Sequence, residues 1–378
     1  MLYPVEAAPS GIAGIGLFLL DELLANPVLR GQLKPEYWLT ATNAEARRSY
    51  QRGALPPVLA RIARRLGLDR KTAPARRARV TSRYLAELQD GDVAWLFPSV
   101  RAAVYQEARR RGTFVVKELV NTALAYHRAA LVRAYDAIGW QPGYLPPRED
   151  IDEECEQLSN VDRFFAPSVE VANSFIAAGA DPGRIFATSY GWCEHRFQPV
   201  RRPTARLRFL FVAYGAVRKG LPHLLNAWEK AGLDADLVLV GGISPEVEAG
   251  CAKQLQRSNV IRHGHVSDLA PHYGGADVFV LPSFEEGSPL VSYEALAAGL
   301  PCLMTPHSAG EVVRDGVEGL LAPAGDQSAW VDLLSKVAAD ETLRERLGKA
   351  ARARSLEFTW KRVAERRFAH LAQLLSIN

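Results

Sequence analysis

The sequence predicts an α/β protein built from two Rossmann-like domains in tandem, each a parallel sheet covered by helices. Three observations carry that expectation. The chain has 378 residues, more than one ordinary domain of roughly 100–200 residues. Short β-rich runs recur along it, and stretches of helical length separate them, which is the rhythm of a parallel sheet with crossover helices. Runs such as Phe209-Leu210-Phe211-Val212 and Val278-Phe279-Val280-Leu281 are continuously apolar rather than alternating, as strands covered on both faces must be.

Composition removes several classes. Hydrophobic residues make up 48% and charged residues 23%, near the average for globular chains, which argues against disorder, a collagen-like fibre and a coiled coil. No apolar run approaches the ~18 residues that span a bilayer. The longest, residues 15–20, ends at Asp21-Glu22. The net charge of +4, from 46 Lys+Arg against 42 Asp+Glu, says little about partners. Its distribution says more, because Arg61, Arg64, Arg65, Arg70, Lys71, Arg76, Arg77, Arg79 and Arg83 face only Asp69. Cys155, Cys193, Cys251 and Cys302 are far apart and form no CxxC pair, so neither a zinc site nor a disulfide framework is expected. The N-terminus carries Glu6 and glycines without a basic leader, so a cytoplasmic location is expected.

In the C-terminal half the pattern predicts strands at residues 208–213, 236–240, 260–262, 278–281 and 302–304, with helices at 221–231 and 289–298. In the N-terminal half it predicts strands at 2–5, 93–97, 114–117, 163–166 and 185–188. Helices are expected there at 15–25, 57–66, 101–111, 123–138 and 169–177. Gly179-Ala180-Asp181-Pro182 is a helix stop. Residues 191–206 are rich in Pro, Arg and aromatic side chains and lack a period. They make a linker between a first domain, 1–190, and a second, 207–356. The amphipathic tail, 357–378, is expected to cross back and brace the first domain.

Five constellations carry chemistry. Arg218-Lys219-Gly220 follows a strand, with Gly215 in the same turn, and precedes a helix. Two cations beside a helix N-terminus suit a diphosphate, since charge, hydrogen bonds and the helix dipole act together. The plain alternative is a solvated basic turn. In the segment 284–295, Ser288 is a good N-cap and Pro289 a good first helical residue. The turn Gly287-Ser288-Pro289-Leu290 would then present backbone N–H groups at the strand ends. Glu286 sits in the loop, and Glu294 is the only charge between Pro289 and Pro301. A carboxylate on so apolar a helix needs a partner, either ligand hydroxyls or water and a basic side chain. Gly241-Gly242 closes a strand and permits close approach of a ligand to the backbone. Gly264-His265-Val266 occupies the loop after the next strand. Gly11-Ile12-Ala13-Gly14-Ile15-Gly16 follows the first strand as a Gly-rich loop, but it is not a dinucleotide fingerprint. Gly14 and Gly16 are its acceptor-side candidates.

In order and spacing these motifs resemble the retaining glycosyltransferases of the GT-B fold, glycosyltransferase family 4. Glu286 and Glu294, with seven residues between them, resemble the family's E-x7-E element. Arg218-Lys219-Gly220 resembles its phosphate-binding turn. Ala166-Pro167-Ser168, Gly179, Ser189-Tyr190-Gly191 and Arg196-Phe197 resemble the segment that closes the N-terminal domain. Phe358-Thr359-Trp360 resembles the start of the last helix. The resemblance runs from about Val161 to the C-terminus. It implies a UDP- or GDP-sugar donor bound by the second domain and a glycan, lipid-linked or small-molecule acceptor. It also implies transfer with retained anomeric configuration and no metal or other cofactor. Arg218 and Lys219 would neutralise the departing diphosphate, Glu294 would hold ribose hydroxyls, and Glu286 the donor sugar. Amides of Gly287, Ser288 and Leu290 would help to bind sugar and phosphate. Gly264, His265 and Val266 would line the base.

The N-terminal half departs from the family pattern. The family places a His after an early strand of this domain, whereas residues 114–117 lead into Glu118-Leu119-Val120-Asn121-Thr122. Glu118 and Asn121 are the candidates for the missing role, and His127 comes later on a helix. The family's Arg some five residues before Lys-Gly is Tyr214 here, which leaves its task to Arg218. Residues 57–68 set Val58, Leu59, Ile62 and Leu66 on one helical face beside Arg61, Arg64 and Arg65. Such a helix suits an anionic membrane surface, so a peripheral location on the cytoplasmic side is expected, or else a solvent-facing arginine face. No nucleic-acid module accompanies it. A nucleotide-sugar epimerase of the same fold, or a nucleotide-sugar binding protein without catalysis, is the alternative reading.

Overall fold

The computed structural model describes residues 2–3, 19, 22, 37–39, 51–52, 78–79, 81–98, 100–195, 197–202 and 204–377. Among these residues, β1 (Leu2–Tyr3), β2 (Tyr37–Leu39), β3 (Gln51–Arg52), β4 (Val93–Leu96), β5 (Phe114–Glu118), β6 (Arg163–Ala166) and β7 (Ile185–Ala187) form one sheet. A second sheet contains β8 (Leu207–Val212), β9 (Ala235–Val240), β10 (Val260–His263), β11 (Val278–Leu281), β12 (Cys302–Met304) and β13 (Gly319–Leu321). The strand orders are β3-β2-β1-β4-β5-β6-β7 and β10-β9-β8-β11-β12-β13. Every strand pair is parallel. In both sheets the first strand lies beside the fourth, so the chain winds away in opposite directions from that point. In such a sheet the carboxyl ends of these two strands border a crevice suited to ligands. The expected doubly wound α/β architecture is therefore present twice.

Continuous burial explains the strands that the pattern picks out. All six residues of β9 and all four of β11 are buried. Three strands were not expected. β2, β3 and β13 are only two or three residues long, too short for a periodic signal. In β13, a Cβ on Gly319 would lie 2.0 Å from the Cys302 carbonyl oxygen, so glycine lets this strand press onto β12. Among the helices also missed, the long ones are Arg148–Leu158, Gln327–Ala339 and Glu341–Ser355. The first buries only Gln157 and Leu158, which leaves little apolar periodicity to read. The other two have clear caps, because Asp326 and Asp340 accept from Ala329 N (3.0 Å) and Leu343 N (2.8 Å).

The final helix, Trp360–Ile377, returns to the first sheet. Trp192 N donates to Phe358 O (3.0 Å) and Trp360 N to Trp192 O (3.1 Å), which fixes where the chain re-enters. Phe368 then packs edge-on against Trp95, with ring centroids 5.7 Å apart. Arg367 reaches the end of β5 and donates to both Glu118 oxygens, at 2.7 and 2.9 Å, with both side chains fully buried.

Several expectations fall outside the described residues: the Gly-rich loop with Gly14 and Gly16, the helix at 57–66, and the basic amphipathic stretch 57–68. Of the helix expected at 15–25, Leu19 and Glu22 are described, both helical. Among the described residues no helix is long and apolar enough to cross a membrane.

Candidate functional site

The crevice of the second sheet opens where β8 and β11 end. After β8 the chain makes one 3-10 turn, Val217–Lys219, and reverses at Gly220, whose φ is 73°. A Cβ on Gly220 would lie 2.1 Å from the Pro282 carbonyl oxygen, so only glycine lets this turn sit on the segment after β11. Phe284 N donates to Arg218 O (2.9 Å) and ties the two segments. The neighbouring loop ends are joined by backbone. Gly215 N donates to Gly242 O (2.8 Å), and Gly241 N to His263 O (3.0 Å). Gly241 has φ 125° and lies so close to Ala213 O that a Cβ would be 2.1 Å away. Gly264 and His265 are exposed and Val266 half-buried at the outer end of this row. Tyr214, 57% exposed, lies against Gly242.

Two carboxylates follow β11, and each takes one of the cations. Lys219 Nζ donates to both oxygens of Glu286, at 2.5 and 2.7 Å, and Ser283 Oγ donates to Oε1 (2.7 Å). Arg218 Nη1 donates to Glu285 O (2.7 Å) and Oε2 (2.9 Å). Burial alone would raise the Glu285 pKa. The hydrogen bond from His127, the Arg218 charge and the Thr122 hydroxyl outweigh it and hold the carboxyl down to about 2. Burial lowers the Lys219 pKa, and the Glu286 charge opposes it.

Glu294 lies one helix further on, in Leu290–Ala297. Tyr273 Oη donates to its Oε2 (3.0 Å). Burial pushes its carboxyl up to about 7, against the pull of that hydrogen bond. The start of this helix differs from expectation. Pro289 is the cap residue, at φ −68° and ψ 124°, and no side chain caps the helix. The Ser288 hydroxyl instead pairs with Tyr293 Oη (2.6 Å), which also accepts from Tyr190 N (3.1 Å). Ser288 thus ties the loop to the segment between the two sheets.

The first sheet supplies the opposite wall. Thr122 Oγ1 donates to Glu285 Oε1 (2.7 Å), and His127 Nδ1 lies 2.9 Å from Oε2. Ser168 Oγ donates to Gly287 O (2.7 Å). A Cβ on Gly287 would be 1.9 Å from Val120 O and 2.9 Å from the Cα of Asn121. Gly287 is therefore in backbone contact with the loop that contains Asn121. Asn121 is exposed beside it.

One expected residue has a different task. The Glu118 carboxylate is taken by Arg367 and by Trp95 Nε1 (3.2 Å), at full burial. It braces the last helix to β5 and cannot stand in for the missing histidine. His127 instead brings an imidazole to the cleft. Sequence reasoning missed Glu285, Thr122 and His127 as a cluster, because 163 and 158 positions separate the partners from Glu285. Among the described residues no three His, Cys, Asp or Glu side chains are grouped to hold a metal. The assembled site offers two cations, each already balanced by a carboxylate, beside a half-buried carboxyl with a raised pKa.

The chain is similar to several known proteins. Residues 206–340 match the family described as Glycosyl transferases group 1. A D-inositol 3-phosphate glycosyltransferase of Xylanimonas cellulosilytica is 31% identical over 249 residues, 59% of this chain and 60% of the relative. The capsular polysaccharide biosynthesis glycosyltransferase CapM of Staphylococcus aureus is 31% identical over 143 residues, 36% of this chain and 38% of CapM. The chain thus spans about three fifths of the length of the first of these relatives. Among solved structures, Anabaena HepE in complex with UDP and glucose superposes with a TM-score of 0.68 at 14% identity, over 97% of both chains. Sucrose-phosphate synthase from Thermosynechococcus elongatus gives 0.67 at 21% identity, over 81% of this chain and 79% of that one. At these identities the structural likeness concerns the fold.

Proposed function

We propose that this chain, which has the GT-B fold and matches the group 1 glycosyltransferases over residues 206–340, moves a sugar from a nucleoside diphosphate to an acceptor hydroxyl. One observation carries the reading. The turn with Arg218 and Lys219 and the loop-helix segment with Glu286 and Glu294 meet where β8 and β11 end, at the switch point of the donor-side sheet. The donor is a UDP- or GDP-sugar, and the relatives are named for D-inositol 3-phosphate and for capsular polysaccharide biosynthesis. The acceptor of this chain is a glycan, lipid-linked or small-molecule hydroxyl.

As the C1–O bond breaks, negative charge grows on the diphosphate. Groups placed where that charge develops stabilise the transition state more than the ground state. Arg218 and Lys219 do this without a metal ion. Each can turn to phosphate without orphaning its carboxylate, since Glu285 keeps Thr122 and His127 while Glu286 keeps Ser283. Glu294 takes ribose hydroxyls and Glu286 the donor sugar. The acceptor oxygen attacks C1 from the face the diphosphate leaves, and its proton passes to the diphosphate, so the configuration is retained.

Thermal stabilisation tests the donor site, because a ligand that binds only the folded state adds about 2.7 kcal/mol at a hundredfold excess over Kd. UDP or GDP is expected to raise Tm at millimolar concentration. No shift with any uridine, guanosine or adenosine diphosphate would sink the reading. Slow release of nucleotide from one sugar donor distinguishes the enzyme from a chain that binds the donor and transfers nothing.

A further inference from the structure

The loops that follow β4 and β5 enclose a cavity of about 540 Å³, within the range of small-molecule sites. Lys117, Asn121, Thr122, Glu153, Glu154 and Gln157 line it, with Phe175 among its apolar walls. Thr122 also donates to Glu285, so this loop is a shared wall between the cavity and the donor cleft.

Lys117 is the unusual member. It ends 4% exposed in the middle of a sheet, where burial pulls its pKa to about 8. Its ammonium has three donors, and among the described residues only Gln157 Oε1 accepts from it. The Tyr105 and Phe175 rings lie 5.3 and 5.6 Å from it and offer no hydrogen-bond acceptor of their own there. A buried ammonium so sparsely satisfied gains from ligand oxygens.

The two acids decide which ligand those oxygens belong to. Glu153 Oε1 accepts from Ala102 N (3.1 Å), the first residue of the helix Ala102–Arg110. Glu154 Oε2 accepts from Leu124 N (2.7 Å), the first residue of the helix Leu124–Asp136. Helix N-termini are where a phosphate would anchor, and here both are occupied by the protein's own carboxylates. Arg101 balances Glu153 at 2.8 Å. Glu118, also on the wall, is balanced by Arg367 at 2.7 Å, which leaves Lys117 against Glu154 and Asp150, together repelling an anion. What remains is a fixed ammonium donor among fixed carboxylate and amide acceptors, the complement of ring hydroxyls that both donate and accept.

We infer that this cavity holds the acceptor as an uncharged polyhydroxylated ring, not anchored through a phosphate. The inference rests on the glycosyl-transfer reading for the word acceptor, but the binding it asserts is measurable without a donor.

Saturation-transfer NMR on the full chain tests it with myo-inositol and methyl α-D-glucopyranoside, each beside its phosphorylated counterpart, myo-inositol 1-phosphate or glucose 6-phosphate. At least one uncharged ring is expected to bind saturably, and at least fivefold tighter than its phosphate ester. Lys117→Met is expected to weaken ring binding at least tenfold while leaving the UDP thermal shift in place. Glu154→Gln keeps the acceptor for Leu124 N but removes the charge, so it should narrow the gap between free and phosphorylated rings severalfold. If Lys117→Met does not fold, Asn121→Ala, at an exposed position, should weaken ring binding at least threefold. The inference is overturned if neither ring binds, if the phosphate esters bind as tightly as the free rings, or if Glu154→Gln and Asn121→Ala change nothing. Ring binding without any nucleotide shift would sink the donor reading alone. A nucleotide shift without ring binding would sink this inference alone.

Discussion

His127 Nδ1 lies 2.9 Å from Glu285 Oε2, and the two side chains come from opposite walls of the cleft. Glu285 is fully buried and its carboxyl is held to about 2, so it is ionised at any working pH and can only accept. The imidazole hydrogen therefore sits on Nδ1. The same carboxylate accepts from Thr122 and Arg218. One anion thus orients an imidazole from the first domain and a guanidinium from the second. Glu285→Gln can keep its oxygen on His127 and Arg218 and turn its amide NH2 to the Thr122 hydroxyl, but it removes the negative charge that holds the imidazole and the guanidinium. The expected result is a loss of at least tenfold in kcat/KM, with Tm lowered by several degrees at ~2–4 °C per kcal/mol. A His127→Ala, Glu285→Gln cycle should show strong non-additivity. Additive losses would mean the pair is incidental.

Gly287 tests whether closure of the cleft matters. A Cβ there would meet the Val120 carbonyl oxygen at 1.9 Å, a backbone atom that cannot swing aside. Gly287→Ala must therefore push the two walls apart while each sheet stays intact. Turnover should fall at least a hundredfold and the radius of gyration should rise. Retention of turnover within threefold would show that this contact is dispensable.

The Glu118–Arg367 pair is fully buried on both sides. Removing one partner from such a pair costs about 3–5 kcal/mol, because the other charge is left buried alone, whereas an apolar pair of similar size can be neutral. Arg367→Met is therefore expected to lower Tm by roughly 10 °C. Glu118→Leu with Arg367→Met should recover most of it. Neither change should alter the nucleotide-induced shift. A selective loss of nucleotide binding in the single variants would return Glu118 to the site.

How much could be read without coordinates follows from where each signal lies. Buried parallel strands announce themselves, and β11 and β12 carry the expected bounds because every residue in them is apolar and covered. The gathering of Arg218, Lys219, Glu286 and Glu294 at one end of the second sheet was readable because these residues attach to local turns and one helix. Glu285 was not, since nothing in its neighbourhood separates it from Glu286. Its partners Thr122 and His127 meet it only when the sheets face each other. Glu118 was misread for the same reason, because its partner Arg367 lies 249 residues away.

Glu294 gives the site a pH signature with a definite sign. Burial raises its carboxyl from 4.5 to about 7 in the folded chain, partly opposed by Tyr273. Between those values the folded state holds the proton more tightly than the unfolded state, so its contribution to stability falls as pH rises and is fully lost above about 7. At ~1.4 kcal/mol per pKa unit, and allowing for partial exposure, the loss is about 1–3 kcal/mol. Glu294→Gln has no such term. Its Tm relative to the parent chain should therefore rise between pH 5 and pH 8. Nucleotide binding should show the opposite trend. In the proposed donor site ribose hydroxyls donate to the carboxylate, so binding would select the ionised form and release a proton. UDP or GDP affinity in the parent chain should increase from pH 5.5 toward 7.5 and then level off, approaching tenfold per unit below the pKa. In Glu294→Gln it should be weaker and flat with pH. Calorimetry in two buffers of different ionisation enthalpy would count the released proton. A parent affinity that does not change across this window would remove Glu294 from the ribose contact.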